Sequence, residues 1–124
     1  MKEVSEETNR PIVLLSDFGL GDPFVGAMKG VIISINPRAR VIDLTHDISP
    51  YNILQAAIIL KSSYLFFPPE TIFVAVVDPT VGSERKELLI EAGGRFFVGP
   101  DNGIFWPVLK DAPAERVTLL ENPG

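Results

Sequence analysis

Short apolar runs alternate with amphipathic stretches along the chain, and this alternation predicts the order of strands and helices. Runs of apolar residues are typical of buried strands, whereas apolar residues recurring every three to four positions indicate helices. Two runs separated by Ala92, Gly93 and Gly94 predict a hairpin. The predicted strands cover residues 12–16, 40–44, 72–77, 87–91, 95–98 and 116–120, and a short helix is expected within 104–109.

Prolines set the expected ends of the two longer helices. Asp22 followed by Pro23 predicts an N-cap and a first helical position, and Asn36-Pro37 ends that helix. Ser49-Pro50 is expected to open the second helix in the same way, and Pro68-Pro69 follows its end. The faces expected to pack on the sheet are Phe24, Ala27, Met28, Val31, Ile32 and Ile35 in the first helix and Ile53, Ala57, Leu60 and Tyr64 in the second.

The strand-helix-strand-helix-strand order implies right-handed crossovers between parallel strands. We therefore expect an α/β fold, a three-layer α/β sandwich with a largely parallel sheet and a C-terminal antiparallel hairpin. Residues 12–124 should form a single domain, because this length can bury its own core. Residues 1–11 are polar and are expected to be a flexible N-terminal segment.

Composition excludes several classes of function. The net charge is -5 and basic residues do not cluster, which argues against nucleic-acid binding. No apolar stretch approaches the ~20 residues needed to span a bilayer, so no membrane partner is expected. The chain has no cysteine, which removes disulfides, thiolate metal sites and cysteine nucleophiles and suits a cytoplasmic protein.

Acidic loops follow three of the predicted strands. Asp17 and Asp22 lie after the first strand, Asp78 after the third, and Asp101-Asn102 after the second strand of the hairpin. Because the carboxyl ends of parallel strands share one edge of a sheet, these loops can converge on a pocket rich in hydrogen-bond acceptors.

The segment from Asp78 to Arg85 places opposite charges on either side of a glycine-containing loop. Pro79 favours extended geometry at Asp78, so the carboxylate should project from the end of the strand. The alternative is a simple Asp-Pro turn with a solvated Arg85.

The first loop contains Gly19 and Gly21, but Phe24 stands where a dinucleotide fingerprint needs its third glycine. Carboxylates repel phosphate, so Asp17 suits a ribose diol or a cationic ligand better than a pyrophosphate. Helix capping is the competing explanation of Asp22.

Several motifs in order along the chain resemble one family. They are Ser16-Asp-Phe-Gly, Met28-Lys-Gly-Val-Ile-Ile-Ser-Ile-Asn-Pro37, Val41-Ile-Asp-Leu-Thr-His46, Phe67-Pro-Pro-Glu-Thr71, Val76-Val-Asp-Pro-Thr-Val-Gly-Ser-Glu-Arg85 and Phe97-Val-Gly-Pro-Asp-Asn-Gly103. Together they resemble the S-adenosylmethionine hydroxide adenosyltransferases, which are relatives of the fluorinating and chlorinating enzymes. The resemblance runs from about Pro11 to the C-terminus.

The resemblance implies attack of water or hydroxide on the ribose C5′ of S-adenosylmethionine, with adenosine and methionine as products and no cofactor. Asp78 and Arg85 are similar to two members of an Asp-Arg-His set that positions the water, whereas the halogenating relatives carry an aromatic residue at the Asp78 position. Asp17 resembles the carboxylate that binds the ribose hydroxyls in the family. Tyr51 resembles an aromatic residue that lies against the ligand in these relatives. Tyr51 could instead be a half-buried aromatic residue at the start of the helix. Asp101 and Asn102 could instead belong to an Asp-Asn-Gly turn.

The histidine of that set lies beyond these motifs in the family, toward a second, β-rich domain, so His46 does not correspond to it. His46 is expected to be a structural group bonded in a turn. Family resemblance also implies a homotrimer whose adenosyl pocket is shared between subunits. We expect these 124 residues to be a fragment or a natural truncation that needs the second domain for activity.

Two other functions fit the residues. Asp17, Asp22, Asp78 and Asp101 could hold Mg²⁺ for phosphate-ester hydrolysis. A non-catalytic adenosyl-binding or trimerisation module would bind the ligand without turnover.

Overall fold

The structure, a computed structural model, describes residues 10–78 and 86–120. Of the predicted flexible segment 1–11, residues 1–9 lie outside the described residues. The strands are β1 (Pro11–Ser16), β2 (Arg40–Thr45), β3 (Ile72–Val76), β4 (Glu87–Ala92), β5 (Arg95–Pro100) and β6 (Ala114–Leu120). The helices are α1 (Phe24–Ile35), α2 (Ile53–Ser63) and α3 (Trp106–Asp111), with a 3-10 turn at Tyr64–Phe66 after α2.

The six strands form one sheet in the order β2-β1-β3-β5-β4-β6. β2, β1, β3 and β5 are parallel to one another, whereas β4 runs antiparallel to both β5 and β6. The predicted mixed sheet with an antiparallel C-terminal part is therefore confirmed. Gly93 (φ 59°) and Gly94 (φ 76°) form the hairpin turn, since a tight turn between twisted strands needs positive φ angles.

Helices cover both faces of the sheet. Val13 and Leu15 of β1 lie in the core under α2 and α3. Leu14 points to the opposite face and pairs in register with Asp43 of β2, which bonds Lys29 of α1. Because successive residues of a strand alternate between faces, α1 lies on the Leu14 face and the three-layer arrangement is confirmed.

An aromatic cluster fills the core between the sheet and α2 and α3. The rings of Phe73 and Phe97 stack with centroids 5.3 Å apart, and Phe97 is fully buried. Tyr64 and Phe105 pack against Phe97 at centroid distances of 6.0 and 5.8 Å. These contacts fix β3 against β5, whose carboxyl ends carry Asp78 and Asp101.

The prediction of which face of α1 packs on the sheet is wrong in part. Phe24, Val31 and Ile35 are 60, 60 and 80% exposed, and Val25 is the buried residue of α1. This helix is apolar on nearly every side, so its periodicity does not identify the side that faces the sheet.

The predicted start of α2 at Ser49-Pro50 is also wrong. Asn52 is the N-cap, and its Oδ1 accepts a hydrogen bond of 2.9 Å from the backbone N–H of Gln55. The Gln55 Oε1 in turn accepts from the N–H of Ser49 at 2.8 Å. Asn52 followed three residues later by Gln55 is a capping pattern that the sequence does display. None of the helices within the described ranges is both long enough and apolar enough to cross a membrane.

Gly99 sits where β5 passes close to β3 and α3. A Cβ atom at this position would lie 2.8 Å from the carbonyl oxygen of Ala75 and 2.9 Å from Cζ of Phe105. We expect Gly99→Ala to lower the free energy of unfolding by about 1 to 3 kcal/mol, because backbone and ring must both move. Gly26→Ala in α1, which meets no atom within 4 Å, is the control and should leave stability unchanged or raised. Equal midpoints for both variants in urea unfolding would contradict the steric explanation.

Candidate active site

The carboxyl ends of β1, β3 and β5 lie side by side at one edge of the sheet, because these strands are adjacent and parallel. Asp17 follows β1 directly, Asp78 lies just beyond β3, and Asp101 follows β5. The strand order therefore brings the three acidic loops to one edge of the sheet, as predicted. β2 ends at the same edge and brings in the loop that carries His46 and Tyr51.

Asp17 is half-buried, and its carboxylate contacts both the protein and the solvent at the carboxyl edge of the sheet. Its Oδ2 accepts a hydrogen bond of 2.7 Å from the backbone N–H of Tyr51. Within residues 10–78 and 86–120, no protein group donates to its Oδ1. One oxygen therefore orients the carboxylate, and the described residues leave the other available as an acceptor.

Tyr51 lies beside Asp17 and is 64% exposed, so it is a rim residue and not part of the core. Its backbone has φ 64°, a conformation that is unfavourable for a residue with a Cβ. This geometry directs the Tyr51 N–H toward Asp17, which indicates that the contact between the two loops offsets local strain.

A hydrogen-bond network that joins the buried Ser16 and His46 to the partly exposed Asp43 and Lys29 lies beneath the Asp17 loop, on the α1 face of the sheet. Ser16 Oγ lies 2.5 Å from His46 Nδ1, and His46 Nε2 lies 2.8 Å from Asp43 Oδ1. Lys29 Nζ is 2.7 Å from the other oxygen of Asp43. Burial acts to raise the pKa of Asp43, but the hydrogen bonds from Lys29 and His46, with the charge of Lys29, lower that pKa below its ordinary value.

His46 is bonded within the protein, as the sequence predicted for a structural histidine. It is 4% exposed, and Ser16 is 0% exposed. Ser16 was not predicted to be a site residue. A polar side chain that ends the apolar strand Pro11–Ser16 was the available signal, because a buried hydroxyl requires a partner.

Asp78 is 4% exposed and follows the fully buried Val77. The end of this strand is held by Asn102, whose Nδ2 donates to the carbonyl oxygen of Val77 at 3.1 Å. Asn102 Oδ1 accepts from the N–H of Ile104 at 3.1 Å, as in the turn that the sequence also allowed. Asn102 therefore supports the backbone next to Asp78, and direct contact with a ligand stays a prediction.

Asp101 and Asp22 are both exposed at this edge of the molecule. The backbone N–H of Asp101 donates to the carbonyl oxygen of Lys86 at 2.9 Å, which joins the start of β4 to the end of β5. Asp22 Oδ1 accepts from the N–H of Phe24 at 3.2 Å, immediately before α1. This contact matches the capping explanation of Asp22, although the N-cap position itself is Pro23.

Arg85 and the loop 79–85 lie outside the described residues, so the predicted contact between Asp78 and Arg85 stays a prediction. Across the part of the chain that the structure describes, no three acidic or histidine side chains are grouped closely enough to hold a metal ion. Asp17, Asp22, Asp78 and Asp101 all belong to that part, and their arrangement gives no support to the magnesium alternative.

Residues 12–124 match the family described as the SAM hydroxide adenosyltransferase N-terminal domain. The chain is 44% identical over 115 residues to an (R)-S-adenosyl-L-methionine hydrolase of Methanocaldococcus jannaschii, covering 89% of this chain and 43% of that protein. It is 41% identical over 115 residues to the protein of the same name from Thermus thermophilus, covering 92% of this chain and 44% of the relative. The chain thus spans less than half the length of these relatives.

A crystal structure of a conserved hypothetical protein from Thermus thermophilus has the same fold. It superposes with a TM-score of 0.85 at 39% sequence identity, covering 93% of this chain and 48% of the other.

Proposed function

The chain belongs to the SAM hydroxide adenosyltransferase family, as its N-terminal domain, and from this premise we propose that the protein hydrolyses S-adenosyl-L-methionine to adenosine and L-methionine. The proposed enzyme includes a second, β-rich domain of the kind that the family resemblance implies. The relatives named as hydrolases of this substrate support the proposal, because they share 41 and 44% of aligned residues with this chain.

One observation carries the reaction type: Asp78 is a nearly buried carboxylate at the tip of the strand next to the Asp17 loop. Water attacking C5′ becomes positively charged as the new C–O bond forms, and a carboxylate beside it stabilises that charge or accepts the proton. The C5′–S bond breaks with its electron pair staying on sulfur, so methionine leaves as a neutral thioether. The leaving group therefore needs no acid, and the reaction needs only this one acceptor.

The same carboxylate disfavours halide transfer. A halide is an anion, and a buried carboxylate next to its path would repel it strongly in a medium of low dielectric constant. Water has no such charge and gains a hydrogen-bond acceptor. Asp78 thus favours hydrolysis over halogenation, with Arg85 proposed as its partner in positioning the water.

Asp17 is the proposed ribose ligand. Its Oδ2 is held by the Tyr51 N–H, and its half-exposed carboxylate can accept hydrogen bonds from the 2′- and 3′-hydroxyls. Such bonds would fix the sugar with C5′ toward Asp78. The ring of Tyr51 is proposed to contact the nucleoside, and Asp22, Asp101 and Asn102 to line the rest of the edge.

The protein is further proposed to be a cytoplasmic homotrimer with a pocket shared between subunits. Phe24, Val31 and Ile35 of α1 are at least 60% exposed, and such an apolar surface is typical of protein contacts. No cofactor or metal has a part in the proposed reaction.

The test is chromatographic detection of both products from the full-length protein. We expect adenosine and methionine in equal amounts, unaffected by EDTA, with the (R) sulfonium form preferred over the (S) form, since the relatives are named for it. Chelator-sensitive turnover would replace the proposal with the metal-dependent alternative. Adenosine binding without turnover would instead favour the non-catalytic module.

A further inference from the structure

We propose that Ser16 and His46 are positioning residues that hold the Asp17 carboxylate in place for the ribose hydroxyls. This inference rests on the proposed function, because it concerns the binding of the nucleoside. It adds to that proposal two buried residues that do not themselves touch the substrate.

The hydrogen-bond directions follow from the chemistry of the partners. The Asp43 carboxylate can only accept, so His46 Nε2 carries a proton and donates to it at 2.8 Å. A neutral ring accepts the hydroxyl proton of Ser16 at Nδ1, which lies 2.5 Å from Oγ, whereas a protonated ring donates to Oγ. In either case the Ser16 oxygen has a lone pair for the N–H of Phe18, which lies 3.3 Å away.

These contacts enclose Asp17 on both sides. Ser16 and Phe18, its two neighbours in the chain, are joined through the Ser16 hydroxyl, and the N–H of Gly19 donates to the carbonyl oxygen of His46 at 2.8 Å. Asp17 itself is bonded to the Tyr51 N–H, on the same loop as His46. The β1 loop is thus fixed to the β2 loop at three points within a few residues.

A nucleophilic role for Ser16 does not fit, although Ser16, His46 and Asp43 form a serine-histidine-aspartate series. A nucleophile must reach its substrate, whereas Ser16 is 0% exposed and the His46 side chain is 2% exposed. The network instead lies directly beneath the loop that presents Asp17. Ser16 and His46 are buried and hydrogen-bonded to each other, so this part of the network is rigid, which is what a substrate-orienting carboxylate requires.

The decisive variant is Ser16→Ala in the full-length protein, compared with Thr71→Val. Thr71 is also 0% exposed and donates its hydroxyl to the carbonyl oxygen of Pro68 at 2.7 Å, but it precedes β3 at the opposite edge of the sheet. Thr71→Val loses one buried hydroxyl hydrogen bond, and Ser16→Ala loses those to His46 and Phe18, so both variants should lose stability. Only Ser16→Ala removes a contact of the Asp17 loop.

The readout is the ratio of dissociation constants for 2′,3′-dideoxyadenosine and adenosine, measured by calorimetry. This ratio isolates the hydroxyl contacts, and a general loss of stability does not change it. We expect Ser16→Ala to reduce the ratio about tenfold, toward the value for Asp17→Ala, because a displaced carboxylate loses about one good hydrogen bond. Thr71→Val should keep the ratio of the parent protein.

An unchanged ratio in folded Ser16→Ala overturns the inference and leaves the proposed function intact. If the parent protein binds both nucleosides equally, the ribose assignment of Asp17 fails and the inference falls with it. If Ser16→Ala does not fold, Asp43→Ala decides the matter, since the Asp43 side chain is 37% exposed and its removal frees His46 Nε2. We expect that variant to lower the ratio about threefold, and an unchanged ratio overturns the inference there too.

Discussion

Asp78→Asn is expected to lower kcat for adenosine release by about 10² to 10⁴-fold in the full-length protein, the usual contribution of a general base. The amide keeps the shape of the carboxylate but cannot accept a proton from the attacking water. The nucleoside contacts are proposed for Asp17 and Tyr51, so KM for S-adenosyl-L-methionine should change little. A large effect on kcat with a small effect on KM indicates an interaction made in the transition state.

The matched control is Asp111→Asn, which makes the same chemical change on a carboxylate outside the site. Asp111 ends α3 and lies 3.5 Å from Lys61 near the end of α2. Both helices run back from the carboxyl edge of the sheet, so this pair is distant from Asp78, and kcat should stay within about twofold because surface ion pairs contribute little. Turnover of Asp78→Asn at the rate of this control would remove Asp78 from the mechanism.

The sequence predicted the sheet and the meeting of its loops because both follow from local signals and one general rule. Alternation of strands and helices implies parallel strands, and adjacent parallel strands put Asp17, Asp78 and Asp101 at one edge. The hairpin was also readable, because Gly93 and Gly94 adopt the positive φ angles that its turn needs. These features depend on the residue types at a few positions.

The orientation of α1 could not be predicted in this way. Phe24, Val25, Met28, Val31 and Ile32 are all apolar, so several faces of the helix satisfy the same periodicity. In the structure, the side of α1 that carries Val25 is buried, and an ion pair between Lys29 and Asp43 links the helix to β2. The orientation of α1 therefore depends on a contact between separate segments of the chain, and the periodicity of apolar residues gives no information about such contacts.

The network beneath Asp17 was missed for a similar reason. Ser16 and His46 are 30 residues apart in the sequence, and neither is unusual in its own segment. Only the parallel pairing of β1 with β2 places the end of one strand beside the loop after the other. The histidine could be recognised as bonded, but its partner could not be named before the strand order was known.

Residues 1–124 alone are expected to fold yet to release almost no adenosine from S-adenosyl-L-methionine. The core between the sheet and α2 and α3 is closed by fully buried side chains such as Phe97 and Val108, which supports folding of this part. The candidate site is different, since Tyr51 is 64% exposed at its rim and Asp17 is half-exposed. A pocket that leaves much of a nucleoside in solvent gives little affinity, because binding has to offset the loss of translational and rotational freedom.

The measurement compares residues 1–124 with the same residues joined to the C-terminal part of the Methanocaldococcus jannaschii relative, of which this chain covers 43%. Circular dichroism and gel filtration establish that both proteins are folded, and chromatography follows adenosine. We expect the joined protein to exceed the short one by at least about 10²-fold in kcat/KM, since it would supply the proposed second wall and the histidine that the family resemblance implies. The joined protein carrying Asp78→Asn is the control, and it should fall back toward the rate of the short chain. Hydrolysis by residues 1–124 at the rate of the joined protein would show that these residues contain a complete active site, and the shared pocket would have to be abandoned.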